Sequence, residues 1–125
     1  MSLALCLLLG SQLVQRLEAK DFTLAWRHSI EKIEWQEDWR IEADGLHLIA
    51  ARVQGSGAGM DPPADAVRRG DWWEYVPALA PQQHLTLARS GLVPDYRLCV
   101  AGGCRTLGEI AGLPPEGAVT LTPCE

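Results

Sequence analysis

The sequence predicts an all-β fold: an antiparallel sandwich or flattened barrel of about 8–10 short strands, with at most one short helix near residues 106–111. Two observations predict it. Short apolar or alternating runs recur along the whole chain, and turn residues punctuate nearly every gap between them. The first run, Leu3-Ala4-Leu5-Cys6-Leu7-Leu8-Leu9, is expected to form a buried strand that turns at Gly10-Ser11 into a second strand over 12–19. The same run looks like the apolar core of an export signal. It lacks a preceding basic residue and a small-x-small cleavage site, and it is too short to cross a bilayer as a helix. A degenerate export signal is the alternative for this segment.

Further strands are expected at 21–29, 33–42, 45–54, 71–76, 83–89, 95–100, 103–107 and 117–122. Asp44-Gly45, Gly70-Asp71, Pro81, Pro94-Asp95, Gly102-Gly103 and Pro114-Pro115 supply the turn chemistry between them. Leu107 to Ala111 is assigned one helical turn. Residues 55–70, rich in Gly, Pro and Asp, form a long loop, and long loops in compact domains often have functional roles. No repeat, low-complexity run or linker divides the chain, so residues 1–125 are expected to make a single β domain.

Bulk composition narrows the function. With 47% hydrophobic and 22% charged residues and a mean hydropathy of −0.03, the chain resembles an ordinary folded protein. Its formal net charge is −5 and its pI about 5.1, and Arg68-Arg69 is the one basic pair, which argues against a nucleic-acid partner. Five Trp stand against one Phe. Indoles combine large apolar area with an N–H donor and serve both cores and the mouths of ligand sites.

Four cysteines, Cys6, Cys99, Cys104 and Cys124, leave the pairing formally open. Cys99 and Cys104 flank a four-residue turn, which would place their sulfurs across a hairpin. Cys6 and Cys124 lie at opposite chain ends, and the termini of a small sandwich are often neighbours. The preferred pairs are therefore Cys99–Cys104 and Cys6–Cys124, which suit an oxidising compartment. Free or partly paired thiols remain the main alternative. A zinc site is disfavoured by the C-x4-C spacing, and neither a metal nor a cofactor is expected.

The hairpin over 21–42 concentrates the polar groups. Joining the apolar faces of its strands sets Trp26 opposite Trp35, Leu24 opposite Glu37 and Phe22 opposite Trp39, with His28 beside Ile33. His28 and Glu37 thus face inward with the indoles, and an inward polar group costs several kcal/mol unless paired (about 2–7 by transfer). Lys32, Arg52 and the N–H groups of the Gly-rich loop are the available donors. The simplest account of each group is a satisfied structural side chain; the functional account is a ligand contact. Glu31, Glu34, Asp38 and Arg40 face outward as a solvated surface.

Gly55-Ser56-Gly57-Ala58-Gly59-Met60 lacks the Gly-Lys-Ser/Thr ending of a nucleotide loop and precedes Pro62-Pro63. Its glycines instead permit close backbone approach to the Trp-lined face, with Met60 as a flexible apolar plug near Trp72-Trp73. Ser29 and His28 point to opposite faces and cannot pair as nucleophile and base. His47 and His84 occupy ordinary strand positions without metal-ligand spacing.

Phe22-x-Leu24-x-Trp26-x-His28-Ser29-Ile30-Glu31-Lys32, Trp35-Gln36-Glu37-Asp38-Trp39-Arg40, the Gly55–Met60 loop and Tyr96-Arg97-Leu98-Cys99 resemble the bacterial domain-of-unknown-function family 1850. The family has no established activity and supplies no catalytic residues. What the resemblance implies is company: such proteins are often encoded beside, or fused to, TRAP transporters of the TAXI type, and other members carry an N-terminal hydrophobic anchor. It implies a periplasmic, extracytoplasmic setting, although this N-terminus departs from a convincing export signal.

The expected function is an accessory or binding protein of a TAXI-type TRAP solute uptake system. Its partners would be transporter subunits, their solute-binding protein or a small-molecule ligand. The candidate ligand residues are His28, Glu31, Trp35, Glu37, Gly57, Gly59 and Met60. A structural or assembly protein without its own ligand is the alternative. An exported enzyme acting on a small molecule or glycan ranks lower, because no second catalytic carboxylate is placed.

Overall fold

A computed structural model describes residues 3–27, 33–54, 65–92, 94–112, 114 and 116–125. Eleven strands and one short helix follow in the order β1 (Ala4–Leu9), β2 (Gln12–Leu17), β3 (Asp21–Arg27), β4 (Glu34–Glu42), β5 (Gly45–Gln54), β6 (Val67–Arg69), β7 (Trp72–Tyr75), β8 (Leu85–Leu87), β9 (Arg97–Val100), β10 (Gly103–Thr106), α1 (Leu107–Ala111) and β11 (Val119–Cys124). They build a four-stranded sheet, β2-β1-β11-β8, and a seven-stranded sheet, β10-β9-β3-β4-β5-β7-β6, with every strand pair antiparallel. The sheets do not close into a barrel, so of the two expected architectures the sandwich is the one formed.

The apolar run at the N-terminus forms an interior strand, with Ala4 to Leu7 buried, and it pairs with β11 on one side and β2 on the other. His84 stands just before β8 rather than within a strand. Strand β6, inside the stretch expected to be loop, pairs Arg68 with Trp73.

Alternation generates the core. Phe22 and Leu24 of β3, Trp39 and Ile41 of β4, Leu46 of β5 and Leu98 of β9 meet Leu5 and Leu7 of β1 and Val119 and Leu121 of β11. One irregularity keeps β5 in phase. Asp38 pairs with Ala50 but Trp39 with Leu48, so Ile49 is an extra residue. The bulge turns both Leu46-x-Leu48 and Ala51-x-Val53 toward the same face.

Helix α1 closes one end of the sandwich with Leu107 and Ile110, both buried. Thr106 caps it, accepting from the Glu109 N–H at 3.1 Å while Glu109 Oε1 accepts from the Thr106 N–H at 2.9 Å. Gly112, in the left-handed region at φ 66°, ends it. The N–H of Leu107 donates to the carbonyl of Tyr96 at 3.0 Å, which ties the start of β9 to the helix.

Two disulfides form, Cys6–Cys124 with Cα atoms 5.9 Å apart and Cys99–Cys104 with Cα atoms 4.0 Å apart. They are the two expected pairs and take up all four cysteines. The second crosses directly registered residues of the β9–β10 hairpin, whose turn is tighter than expected: Ala101 and Gly102 alone make it, both at positive φ.

Candidate functional site

The inward face of the seven-stranded sheet divides into rows that run across the strands. In the β3–β4 hairpin Trp26 pairs with Trp35, Leu24 with Glu37 and Phe22 with Trp39, the expected register. Continuing the first row, Trp35 pairs with Val53, Val53 with Trp73 and Trp73 with Arg68. At the other end Tyr96 packs on Trp26, ring centroids 5.9 Å apart. The second row runs Leu98, Leu24, Glu37, Ala51, Tyr75. Hence Glu37 has Trp35 and Trp39 beside it on its own strand and Tyr75 two strands away.

The rows differ in how completely they are buried. Phe22, Leu24 and Trp39 belong to the core, whereas Trp35 and Glu37 remain partly exposed at its margin. Trp26 and Trp35 stack at 6.2 Å with an interplanar angle of 7°. The Trp35 indole nitrogen is buried and has no hydrogen-bond partner among the described residues. The guanidinium of Arg68 lies over the Trp73 ring, 5.9 Å from its centroid. Beside this row, Trp26, Tyr96, Ala88 and Pro94 wall a cleft of about 260 Å3, flanked by Arg27 and Arg89.

Electrostatics follow from the placement. Burial raises the Glu37 carboxyl above its ordinary acidity, partly offset by the Trp39 indole, whose Nε1–H donates to Glu37 Oε1 at 3.1 Å. Tyr75 is raised by burial and then by the Glu37 charge, and Tyr96 by burial, Glu37 and Asp95 in that order. Two phenols and a carboxylate therefore share one electrostatic neighbourhood.

The expected donor Arg52 is not available to Glu37. It lies on the opposite face, where its guanidinium grips Asp38 through two bonds of 2.7 and 2.8 Å and donates to Gln36 at 3.1 Å. Thr23 adds a hydroxyl donor to Asp38 at 2.8 Å, and Arg97 pairs with Glu34. Glu34 and Asp38 do point outward as expected, but within a bonded network rather than as isolated solvated charges. Arg40 pairs with Glu42 on the same surface. The reason is parity: residue 52 pairs with Gln36, whose side chain projects away from the core.

Of the expected site residues, Trp35 and Glu37 stand together as described. His28, Glu31, Gly57, Gly59 and Met60, with the donor Lys32, lie outside the described residues. Sequence reasoning left Trp73, beyond its place near Met60, and Tyr75 and Tyr96 out of the site. Alternation over 72–75 holds a signal for the first two, since residues 73 and 75 must share a face; Trp72, next to them, must face away. Among the described residues no group of three His, Cys, Asp or Glu side chains could hold a metal ion. His47 instead bonds Asp44 at 2.7 Å on the exposed β4–β5 turn.

Fold and site together define a disulfide-linked, two-sheet β-sandwich with an aromatic row and a partly buried carboxylate at the edge of its core. The profile of a domain of unknown function, DUF1850, matches residues 22–107, and the chain belongs to that family. The matched span contains every described member of the two rows. No curated protein and no solved structure matches the chain.

Proposed function

We propose that this protein is an extracytoplasmic accessory module of a TAXI-type TRAP solute uptake system and that it engages a ligand or partner through the Glu37 face. One observation supports the binding role above all: a carboxylate set among aromatic rings on the inward face, with no cationic partner among the described residues. Burying such a group gains nothing for a scaffold that could place a leucine there, whereas a recognition surface needs it. The two disulfides favour an oxidising compartment. Among the described residues no helix is long and apolar enough to cross a membrane. The transporter link rests on the genomic company of the family.

The Trp39–Glu37 hydrogen bond favours a second reading, in which the carboxylate only braces the sheet. Affinity capture from native membranes separates the two. The wild-type protein should co-purify transporter subunits or their solute-binding protein, and Glu37→Gln should lose them while keeping its circular dichroism and thermal midpoint. A Gln variant that unfolds would make the carboxylate scaffold. Capture without transporter subunits would remove the uptake assignment.

A further inference from the structure

We propose that the Glu37 face binds an organic cation, an ammonium or guanidinium head on a small apolar body, with its charge at Glu37 and its flanks against Trp26, Trp35 and Tyr96. This deepens the binding reading above and rests on it. The chemistry begins with sign. Aromatic faces present negative potential to what lies on them, so a row of indoles and a phenol favours cations. The fixed charge beside that row is also negative, and of the nearby arginines of the sheet Arg52 and Arg97 are spent on the other face, on Asp38 and Glu34, while Arg27 is registered opposite Glu34. An anion would meet repulsion from carboxylate and rings together, and a neutral ligand would leave the carboxylate unanswered.

The same row already accepts a cation elsewhere. At its far end the guanidinium of Arg68 sits over Trp73, while the Trp26 and Trp35 end, nearer Glu37, has no such occupant among the described residues. One Glu37 oxygen takes the Trp39 indole N–H, which fixes the carboxylate's orientation within the sheet. The cleft walled by Trp26, Tyr96, Ala88 and Pro94 gives the ligand's apolar body a place to lie; of its two arginines, Arg89 is already neutralised by Asp95, and Arg27, next to Trp26 on β3, alternates to the other face, registered opposite Glu34. Burial raises the Glu37 carboxyl, and an incoming cation would favour its charged form.

The test uses charge isosteres on the intact, disulfide-bonded protein, followed by calorimetry and tryptophan fluorescence. Butylammonium, butylguanidinium and tetramethylammonium are titrated against butanol and butyrate. At least one cation should bind saturably, at least tenfold more tightly than either butanol or butyrate, and Glu37→Gln should weaken it at least tenfold. The ammonium and guanidinium arms tell which head is preferred. The isostere panel needs no variant, so it remains decisive if Glu37→Gln fails to fold. Butyrate or butanol binding as well as the cations would overturn the cation assignment while leaving a binding face. Cation binding unaffected in a folded Glu37→Gln would overturn the site. A protein that ignores all five probes yet still captures transporter subunits through Glu37 would overturn the organic cation and keep the proposed function.

Discussion

Glu37 and Asp38 are consecutive carboxylates whose acidities move in opposite directions, and the pleat of β4 is the cause. Glu37 turns inward, where burial raises it. Asp38 turns outward, where hydrogen bonds from Arg52 hold it below the ordinary aspartate value of 3.8 despite partial burial. The two therefore shape stability with opposite sign. Because the folded protein takes up the Glu37 proton first, wild type should gain stability relative to Glu37→Gln as pH falls from 7. The gain is complete below the ordinary glutamate value of 4.5. Throughout, the two proteins should stay within about 2 kcal/mol of each other. Asp38 contributes stability that is full above 3.8 and is lost as pH drops through its lower folded value. Asp38→Asn should cost about 1 kcal/mol at pH 7, a solvent-screened figure for a partly exposed bidentate pair, and nothing in strong acid. Urea melts of the three proteins between pH 2.5 and 7.5 measure all of this.

At the scale of elements, the segments between strands are held by a buried ion pair. Arg89 and Asp95 side chains are 1% and 7% exposed and meet through two bonds of 2.8 and 3.0 Å. The guanidinium also donates to the carbonyl of Pro114 at 2.6 Å and, at 3.4 Å, to those of Glu116 and Gly117. Asp95 accepts the N–H of Gly108 in the first turn of α1 at 2.9 Å. Every charge is answered, so removing one partner strands the other in a dry site. Asp95→Ala should destabilise the protein by about 3–5 kcal/mol, read as a lowered denaturation midpoint. Because Tyr96 is the next residue, the same variant should also change the fluorescence of Trp26, on which Tyr96 packs. A silent Asp95→Ala would mean that packing alone positions this end of the aromatic row.

Across the whole molecule, the two disulfides do different work. Cys6–Cys124 joins residues 118 apart in sequence, whereas Cys99–Cys104 joins residues 5 apart in a hairpin that backbone pairing already closes. On the chain-entropy model the long link contributes about 5 kcal/mol and the short one about 2. A Cys6→Ala/Cys124→Ala double variant should therefore melt well below a Cys99→Ala/Cys104→Ala one. Equal losses would mean that the hairpin cross-link is needed for the local geometry of β9 and β10. Both links were legible in the sequence, one from a turn between cysteines and one from their place at the chain ends.

Alternation along 21–42 was enough by itself to give the β3–β4 register and to turn residue 37 inward, because a strand's period of two is a local property of the backbone. Turn residues likewise marked most strand boundaries, and Leu107 to Ala111 its helix. Local pattern could not show that Ile49 is bulged or that Val67–Arg69 pairs with β7. Nor could it place Arg52 beyond reach of Glu37, or bring Tyr75 and Tyr96 into the aromatic row. Those outcomes depend on which strands lie side by side, a choice made by packing apolar faces from distant parts of the chain. Along β3 and β4 the sequence determined which way each side chain points; the tertiary structure decided what it points at, since a partner's identity is set by strand order and not by its own neighbours.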